Sequence, residues 1–310
     1  MKTIIIGGAG YIGGGILEQS SDKSYAVVDN LLFEDRYLRT DVDFFNIDVR
    51  NPEDLNSIIH DYDVAIVLAG LVGDPACAVN PQMTWDTNLK HVKWIADNFK
   101  GKIVYTSTCS VYGKNDQLLD ENSPTNPLSL YAESKLEAEQ YITSNRPESL
   151  VYRLGTLYGK SDSFSRPRLD LVINVLSMRA ALGKTLKVFG GEQWRPFLHV
   201  KDVANAILFG IDNNISGLYN LSQQNMILSE AAEIIVNRVP GSSIEYDDMP
   251  FEDMRNYKVK NDKLLATGFI PEFTLEQGID EIVEMFNSDR IKDPYNSIYH
   301  NGNYMKEHYG

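Results

Sequence analysis

Two cysteines, Cys77 and Cys109, are all that the 310-residue chain contains, too few for a disulfide framework and in keeping with a reducing cytosol. Histidine is scarce as well. His60, His91, His199, His300 and His308 show no metal-ligand spacing, so no metal site is expected. Basic residues fall short of acidic ones, 29 against 43, leaving a net charge of −14. A surface of that sign repels phosphate backbones and argues against a nucleic-acid partner, though it permits a local basic pocket for a small phosphorylated ligand. Long apolar runs are missing. The richest, Val64 to Val72, has a strand's length and contains Gly70, well short of the roughly 18 uninterrupted apolar residues of a membrane span. The apolar start, Thr3–Ile6, turns directly into glycines and is too short for a secretory signal. A cytoplasmic protein without a membrane partner is expected.

What the chain does have is core material: 43% hydrophobic residues, with 12 Phe, 3 Trp and 17 Tyr, enough for one large core or a main domain with a smaller one attached. The first half alternates β-branched runs with helix-length segments. Thr3–Ile6, Tyr25–Val28, Asp43–Asn46, Val64–Leu68, Ile103–Thr106 and Leu150–Leu154 read as strands, and Ile12–Ser20, Pro52–His60, Met83–Phe99 and Leu130–Asn145 as helices. Such alternation means βαβ units, hence an α/β fold with a doubly wound parallel sheet covered on both faces. Beyond Gly159 the rhythm loosens, with helical stretches at Leu169–Leu182, Lys201–Ile211, Ser229–Val239 and Leu275–Asn287, the last opened by a Thr274–Gln277 capping box. The expected division is a nucleotide-binding domain over 1–158, with 198–220 returning to it. A smaller substrate lobe then takes 159–197 and 221–288, and a tail 289–310 is either an extended arm packed on the body or on a partner, or a frayed end.

Directly after the first strand stands Gly7-Gly8-Ala9-Gly10-Tyr11-Ile12-Gly13. Glycine serves a tight turn, the approach of a pyrophosphate to the backbone, and the packing of helix on strand. Amides and the helix dipole at Tyr11–Gly13 then face the phosphates. Asp29 ends the second strand, where a carboxylate accepts hydrogen bonds from ribose hydroxyls and repels a 2′-phosphate, which favours NAD over NADP. Asp48-Val49 follows the third strand, where the adenine edge lies; a solvated loop acid fits the same pattern.

Tyr131 and Lys135 are four apart and share a helical face. A phenol is a poor base at neutral pH unless adjacent positive charge stabilises its anion. The strand ending Tyr105-Thr106-Ser107-Thr108 delivers hydroxyls to the edge where α/β enzymes bind ligands, or else satisfies its own backbone with them.

Together these segments, with Val28-Asp29-Asn30-Leu31, Val111-Tyr112-Gly113 and Arg195-Pro196-Phe197-Leu198-His199-Val200-Lys201-Asp202-Val203, resemble an extended short-chain dehydrogenase/reductase of the nucleotide-sugar epimerase/dehydratase family over nearly the whole chain. The resemblance implies a Rossmann domain with a smaller C-terminal α/β substrate lobe, NAD as cofactor, a nucleoside-diphosphate sugar as substrate, and a homodimer. It implies Thr108, Tyr131 and Lys135 as catalytic residues. Gly7, Gly10, Tyr11, Ile12, Gly13, Asp29, Asn30, Asp48, Val49, Leu68, Ala69 and Gly70 join Tyr131 and Lys135 around the cofactor. Thr156, Arg168, Arg195 and Arg255 join Thr108 around the substrate, the arginines gripping phosphate oxygens. Arg255, in Asp253-Met254-Arg255-Asn256-Tyr257, reads equally as a surface ion pair. Arg168, in Arg166-Pro167-Arg168, and Asn174 either touch the ligand or decorate a helix. His199 reads as core.

Departures narrow the chemistry. The positions after Thr108 are Cys109 and Ser110, where 4,6-dehydratases of the family carry an acidic pair, so dehydration is disfavoured. The expectation is a 4-epimerase, similar to UDP-glucose 4-epimerases, working through a transient 4-keto sugar. The alternatives are a net C4 dehydrogenase or ketoreductase and a non-enzymatic NAD-binding regulator, against which the complete Thr108, Tyr131 and Lys135 set argues.

Overall fold

Val, Ile and Ala fill four of the first strands so evenly that neither face is left for water, as the interior of a parallel sheet requires. A computed structural model describes residues 1–20, 24–34, 36–247 and 255–310. The chain runs β1 (Lys2–Ile6), α1 (Tyr11–Gln19), β2 (Ser24–Asp29), β3 (Asp43–Asn46), β4 (Val64–Val67), α2 (Asp74–Val79), α3 (Pro81–Trp85), α4 (His91–Asn98) and β5 (Lys102–Thr108). It continues with β6 (Lys114–Leu119), α5 (Leu130–Asn145), β7 (Leu150–Leu154), β8 (Thr156–Tyr158), α6 (Val172–Ala181), β9 (Leu186–Phe189), β10 (Trp194–His199) and α7 (Val200–Asp212). The last stretch holds β11 (Gly217–Leu221), β12 (Gln224–Ile227), α8 (Leu228–Arg238), β13 (Ile244–Asp247), β14 (Asn256–Val259), α9 (Asp262–Leu265), α10 (Leu275–Asn287) and α11 (Asn301–Tyr309).

The main sheet is seven-stranded and parallel, in the order β11-β7-β5-β4-β1-β2-β3. Alternate residues supply its two cores. Ile5, Val27, Ile66, Val104 and Tyr152 bury beneath α1 and α7, and Ile4, Ile6, Val28, Val67, Ile103 and Tyr105 beneath α4 and α5. From β1 the chain winds outward through β2 to β3, then crosses to β4 on the other side of β1. The switch point therefore lies between β1 and β4, where open α/β sheets bind ligands at their carboxyl edge. A separate core of Tyr158, Ile173, Phe197, Leu228, Ile235 and Ile279 joins α6, α8 and α10 to the smaller sheets.

Three expected elements differ. Pro52–His60 forms two short 3-10 turns, Pro52–Ser57 and Ile59–Asp61, because Ile58 (φ −127°) breaks the run and only Pro52, Leu55 and Ile59 need burial. Met83–Phe99 is interrupted by a π-turn, Asp86–Lys90, which turns Asn88 inward. The tail packs on the body as a helix rather than an extended arm: Asn301 and Met305 fall one turn apart and are both buried. The Thr274–Gln277 capping box is present.

Candidate active site

The turn after β1 is built around missing side chains. Gly7 (φ +86°) has left-handed backbone, and a Cβ there would stand 2.4 Å from the Ala69 amide nitrogen. That approach lets Leu68 and Ala69 both donate their N–H groups to the Ile6 carbonyl at 2.8 Å, carrying the Leu68–Gly70 bend against the glycine loop. A Cβ on Gly13 would lie 2.3 Å from the Gly8 carbonyl oxygen, so α1 seats on the turn only with glycine there. Gly10 differs. Its backbone is ordinary extended (φ −78°), and an added Cβ would meet nothing closer than the Gly7 oxygen at 3.4 Å. Neither strain nor protein packing accounts for a glycine at Gly10; an open cradle at the first turn of α1 does, and it fits a dinucleotide pyrophosphate.

Asp29 stands beside that turn. Its carboxylate accepts the Ala9 N–H at 3.2 Å and the Leu31 N–H at 2.9 Å, and burial raises its pKa despite these bonds. Asn30 accepts from the Leu32 N–H at 3.2 Å and its side chain reaches Asp48. Asp48 is held by Arg50, with contacts at 2.5–3.0 Å that lower its carboxyl, while Val49 is core. Tyr11 contributes its position at the helix start rather than its phenol, which donates to the Gly159 carbonyl; Ile12 packs against the core under α1.

Across the switch point, Thr108 ends β5 and opens a 3-10 turn by accepting the Ser110 N–H at 3.1 Å, while its hydroxyl donates to Ser110 Oγ at 3.1 Å. The Tyr131 phenol lies within hydrogen-bonding reach of Thr108. Tyr131 enters from the first turn of α5, capped by Ser129, which accepts the Ala132 N–H and donates to Asp74 at 2.6 Å. Lys135, one turn on, is 5% exposed with its Nζ 4.2 Å from the Tyr105 ring centre. Burial pushes the Lys135 ammonium down to about 7 and pushes the Tyr131 phenol up, the latter opposed by the Thr108 hydrogen bond and the charge of Arg168. In the protein alone desolvation outweighs the Thr108 hydrogen bond and the Arg168 charge; the lowering expected of the Tyr131 phenol relies on the nicotinamide ring as well as on Lys135.

The arginines separate. Arg195 is buried on β10, donating to the Arg255 carbonyl at 2.5 Å, with its guanidinium 5.9 Å from the Tyr257 ring centre. Arg255 donates to Ser110 Oγ at 3.0 Å and forms a partly exposed ion pair with Asp74 at 3.6 Å; Asp253 and Met254 lie outside the described residues. Thr156 pairs in register with Phe197, two residues beyond Arg195 on the neighbouring strand. Arg168 forks onto Asp170 at 2.7 and 3.2 Å, and its charge reaches Tyr11 and Tyr131. Asn174 neither touches that region's opening nor decorates a surface: it is fully buried and accepts the Gly159 N–H at 2.9 Å. Both thiols are inert by environment, with Cys77 pushed up to about 12 by burial. His199 is core, bound to Glu281 at 2.8 Å. Among the described residues, no group of three metal-binding side chains converges and no helix is long and apolar enough to cross a membrane.

A glycine-cradled crevice facing a Thr–Tyr–Lys set is the layout in which comparison with known proteins becomes decisive. The profile of the NAD dependent epimerase/dehydratase family matches residues 3–222. The chain belongs to that family. It is thus an NAD-dependent enzyme, and the cradle at Gly10 and the acid at Asp29 suit that cofactor. A Methanocaldococcus jannaschii protein provisionally named UDP-glucose 4-epimerase is 30% identical over 93% of this chain and 99% of its own length. Two solved structures show the shared fold. The UDP-glucose 4-epimerase of Thermus thermophilus in complex with NAD has a TM-score of 0.80 at 23% identity, covering 93% of this chain and 99% of that one. The dTDP-glucose 4,6-dehydratase of Bacillus anthracis in complex with NAD has a TM-score of 0.77 at 24% identity, covering 94% and 97%. Family members thus run both reactions on this scaffold, and the choice between them falls to individual side chains.

The contacts of Asn88 with Ser134, of Ser110 with Arg255 and of Tyr257 with Ser110 could not be read along the chain, because each joins partners distant in it.

Proposed function

We propose that the protein is a nucleotide-sugar 4-epimerase that oxidises the sugar at C4 and returns the hydride to the opposite face. The observation carrying this reading is the pair of residues after Thr108. Cys109 is fully buried, its thiol donating to the Arg153 carbonyl at 3.2 Å, and Ser110 Oγ is engaged by Thr108 and Arg255. Neither offers the acid and base that loss of water across C5 and C6 needs. The provisional name of the archaeal relative points the same way.

In this reading Thr108 holds the 4-hydroxyl and Tyr131 takes its proton as the C4–H bond breaks and its electron pair leaves as hydride. Bound NAD supplies the hydride acceptor and a positively charged ring. Lys135 orients the cofactor ribose, and with that added charge the Tyr131 phenolate, disfavoured by burial alone, becomes accessible. Arg195 and Arg255 grip the diphosphate, so the 4-keto sugar can turn over while staying tethered. The proton on Tyr131 then returns to the ketone oxygen as hydride adds to the other face of C4. Leu68–Gly70, Gly7–Gly13, Asp29, Asn30 and Asp48-Val49 hold the cofactor, and Thr156 borders the sugar nucleotide. A homodimer belongs to the same reading and is checked by light scattering.

The deciding experiment incubates the purified protein with UDP-, GDP-, CDP- and dTDP-sugars and identifies products by NMR while following near-ultraviolet absorbance. A C4 epimer without lasting reduced cofactor supports the proposal. Accumulated NADH or a free keto sugar assigns a net C4 oxidoreductase instead.

A further inference from the structure

Between α5 and the main sheet lies a buried ion pair. Arg153 of β7 donates through Nε to both oxygens of Glu139 on α5, at 3.2 and 3.0 Å, and through Nη2 to Glu139 Oε1 at 2.6 Å. Its other nitrogen, Nη1, donates to the Tyr112 hydroxyl at 2.8 Å, which in turn donates to Asn220 Oδ1 at 2.8 Å. Arg153 and Glu139 are 4% and 2% exposed, so each is the other's compensating charge in a place where water cannot be.

The pair stands beside Lys135. Glu139 follows Lys135 by four residues on α5, so the two share one helical face with Cβ atoms about 5–6 Å apart, and both are buried. Strands β5 and β7 run in register with Tyr105 opposite Val151 and Ser107 opposite Arg153, which puts Arg153 on the same sheet face as Tyr105, two residues further along. Lys135 Nζ lies 4.2 Å from the centre of that Tyr105 ring. Ammonium, carboxylate and guanidinium thus lie in one layer between α5 and the sheet.

Glu139 is the anion of this layer that acts on Lys135. The other titratable groups around the lysine are Cys77 of α2, His91 of α4, Tyr105 of β5 and Tyr131 of α5 itself. Burial keeps all four uncharged near neutrality, raising the thiol and the phenols and lowering the imidazole to about 3. A buried carboxylate deprived of Arg153 has Lys135, one turn away, as its next partner.

We propose that Arg153 is a positioning residue for the reaction: by taking both Glu139 oxygens it withholds that carboxylate from Lys135 and leaves the ammonium free to face the cofactor and Tyr131. The inference rests on the role proposed for Lys135 and adds to it a residue that acts through Lys135 rather than on a ligand.

The test follows Lys135 by NMR of full-length protein carrying isotopically labelled lysine, its resonance assigned by its loss in Lys135→Met. NAD affinity is measured in parallel by calorimetric titration of cofactor-stripped protein, and circular dichroism establishes folding. Arg153→Met should raise the Lys135 titration midpoint by about 1–3 pH units, the effect of an opposite charge newly paired with it. It should also weaken NAD binding about tenfold. Combining Arg153→Met with Glu139→Gln should return both readouts toward the parent, which removal of a merely structural bridge would not do. Tyr112→Phe, which breaks the other arm of Arg153 and spares the ion pair, should leave the midpoint in place. An unmoved midpoint in Arg153→Met, or an equal shift in Tyr112→Phe or in the double variant, overturns the proposal. Should Arg153→Met fail to fold, Arg153→Gln, which still donates to Glu139 but brings no charge, decides by the same readouts. Lys135→Met separates this inference from the reading beneath it. Parental NAD affinity in that variant removes the lysine's role and the pair's purpose with it. Weakened NAD binding there, beside an unmoved midpoint in Arg153→Met, overturns the positioning role alone.

Discussion

Asn88 clasps the peptide group of Leu71 from both sides: its Oδ1 accepts the Leu71 N–H at 2.7 Å and its Nδ2 donates to the Leu71 carbonyl at 3.1 Å. The same Nδ2 donates to Ser134 Oγ at 3.0 Å, one residue before Lys135. One buried amide thus ties the lip after β4 to α5. Asn88→Leu leaves buried backbone and hydroxyl groups without partners and is expected to cost about 2–4 kcal/mol, read from urea midpoints. A cost under about 1 kcal/mol means that water replaces the amide.

Tyr131→Phe removes the only proposed proton acceptor while keeping the ring's packing. Turnover should fall by about 10²–10⁴, with NAD still bound in stoichiometric amount. Thr108→Val should fall in the same direction, and Thr108→Ser should recover most of the rate. Steady-state kinetics with cofactor quantitation checks this, and a Tyr131→Phe enzyme of parental rate removes the tyrosine from the chemistry.

Lys135 makes cofactor-free stability depend on pH. Its folded-state value, about 7, lies below the ordinary 10.5, so between those values the unfolded chain binds the extra proton. Stability from this group therefore rises as pH climbs from about 7 toward 10.5, and below about 7 the full cost of a buried ammonium is carried. Lys135→Met abolishes this contribution. The variant's advantage in unfolding free energy should be greatest at or below neutrality and shrink toward pH 10; a pH-independent difference contradicts the assignment.

Arg195 and Arg255 are predicted to act on substrate and not on cofactor. Replacing either with Met should weaken sugar-nucleotide binding by about 10–100-fold, the worth of a charge-assisted bond, while NAD affinity holds. Arg195→Met should be the more damaging because it also releases the Arg255 carbonyl. Calorimetry with each ligand separately gives the answer, and a parallel loss of NAD affinity refutes the division of labour.

Much of this arrangement was legible along the chain because its signals are local. Glycine spacing after a strand, Tyr131 and Lys135 one helical turn apart, and Thr108 at a strand end each need only short-range geometry. Helix α5 and strands β3 and β7 begin and end where periodicity places them. Pro52–His60 misled because apolar residues three and four apart suit a 3-10 turn as well as an α-helix. The tail stayed open because Asn301 and Met305 gain their reason to be helical from Val72 and Leu71, some 230 positions earlier.

By itself, then, the sequence determined the parallel sheet, the dinucleotide turn and the spacing of Thr108, Tyr131 and Lys135, since backbone sterics and burial periodicity act between near neighbours. Tertiary structure alone decided that Gly10 faces open space, that Arg255 meets Ser110 and Asp74 beside Thr108, and that α11 packs against Leu71 and Val72. It also decided the protonation balance of Tyr131 and Lys135, because desolvation depends on everything packed around a charge and not on its place in the chain.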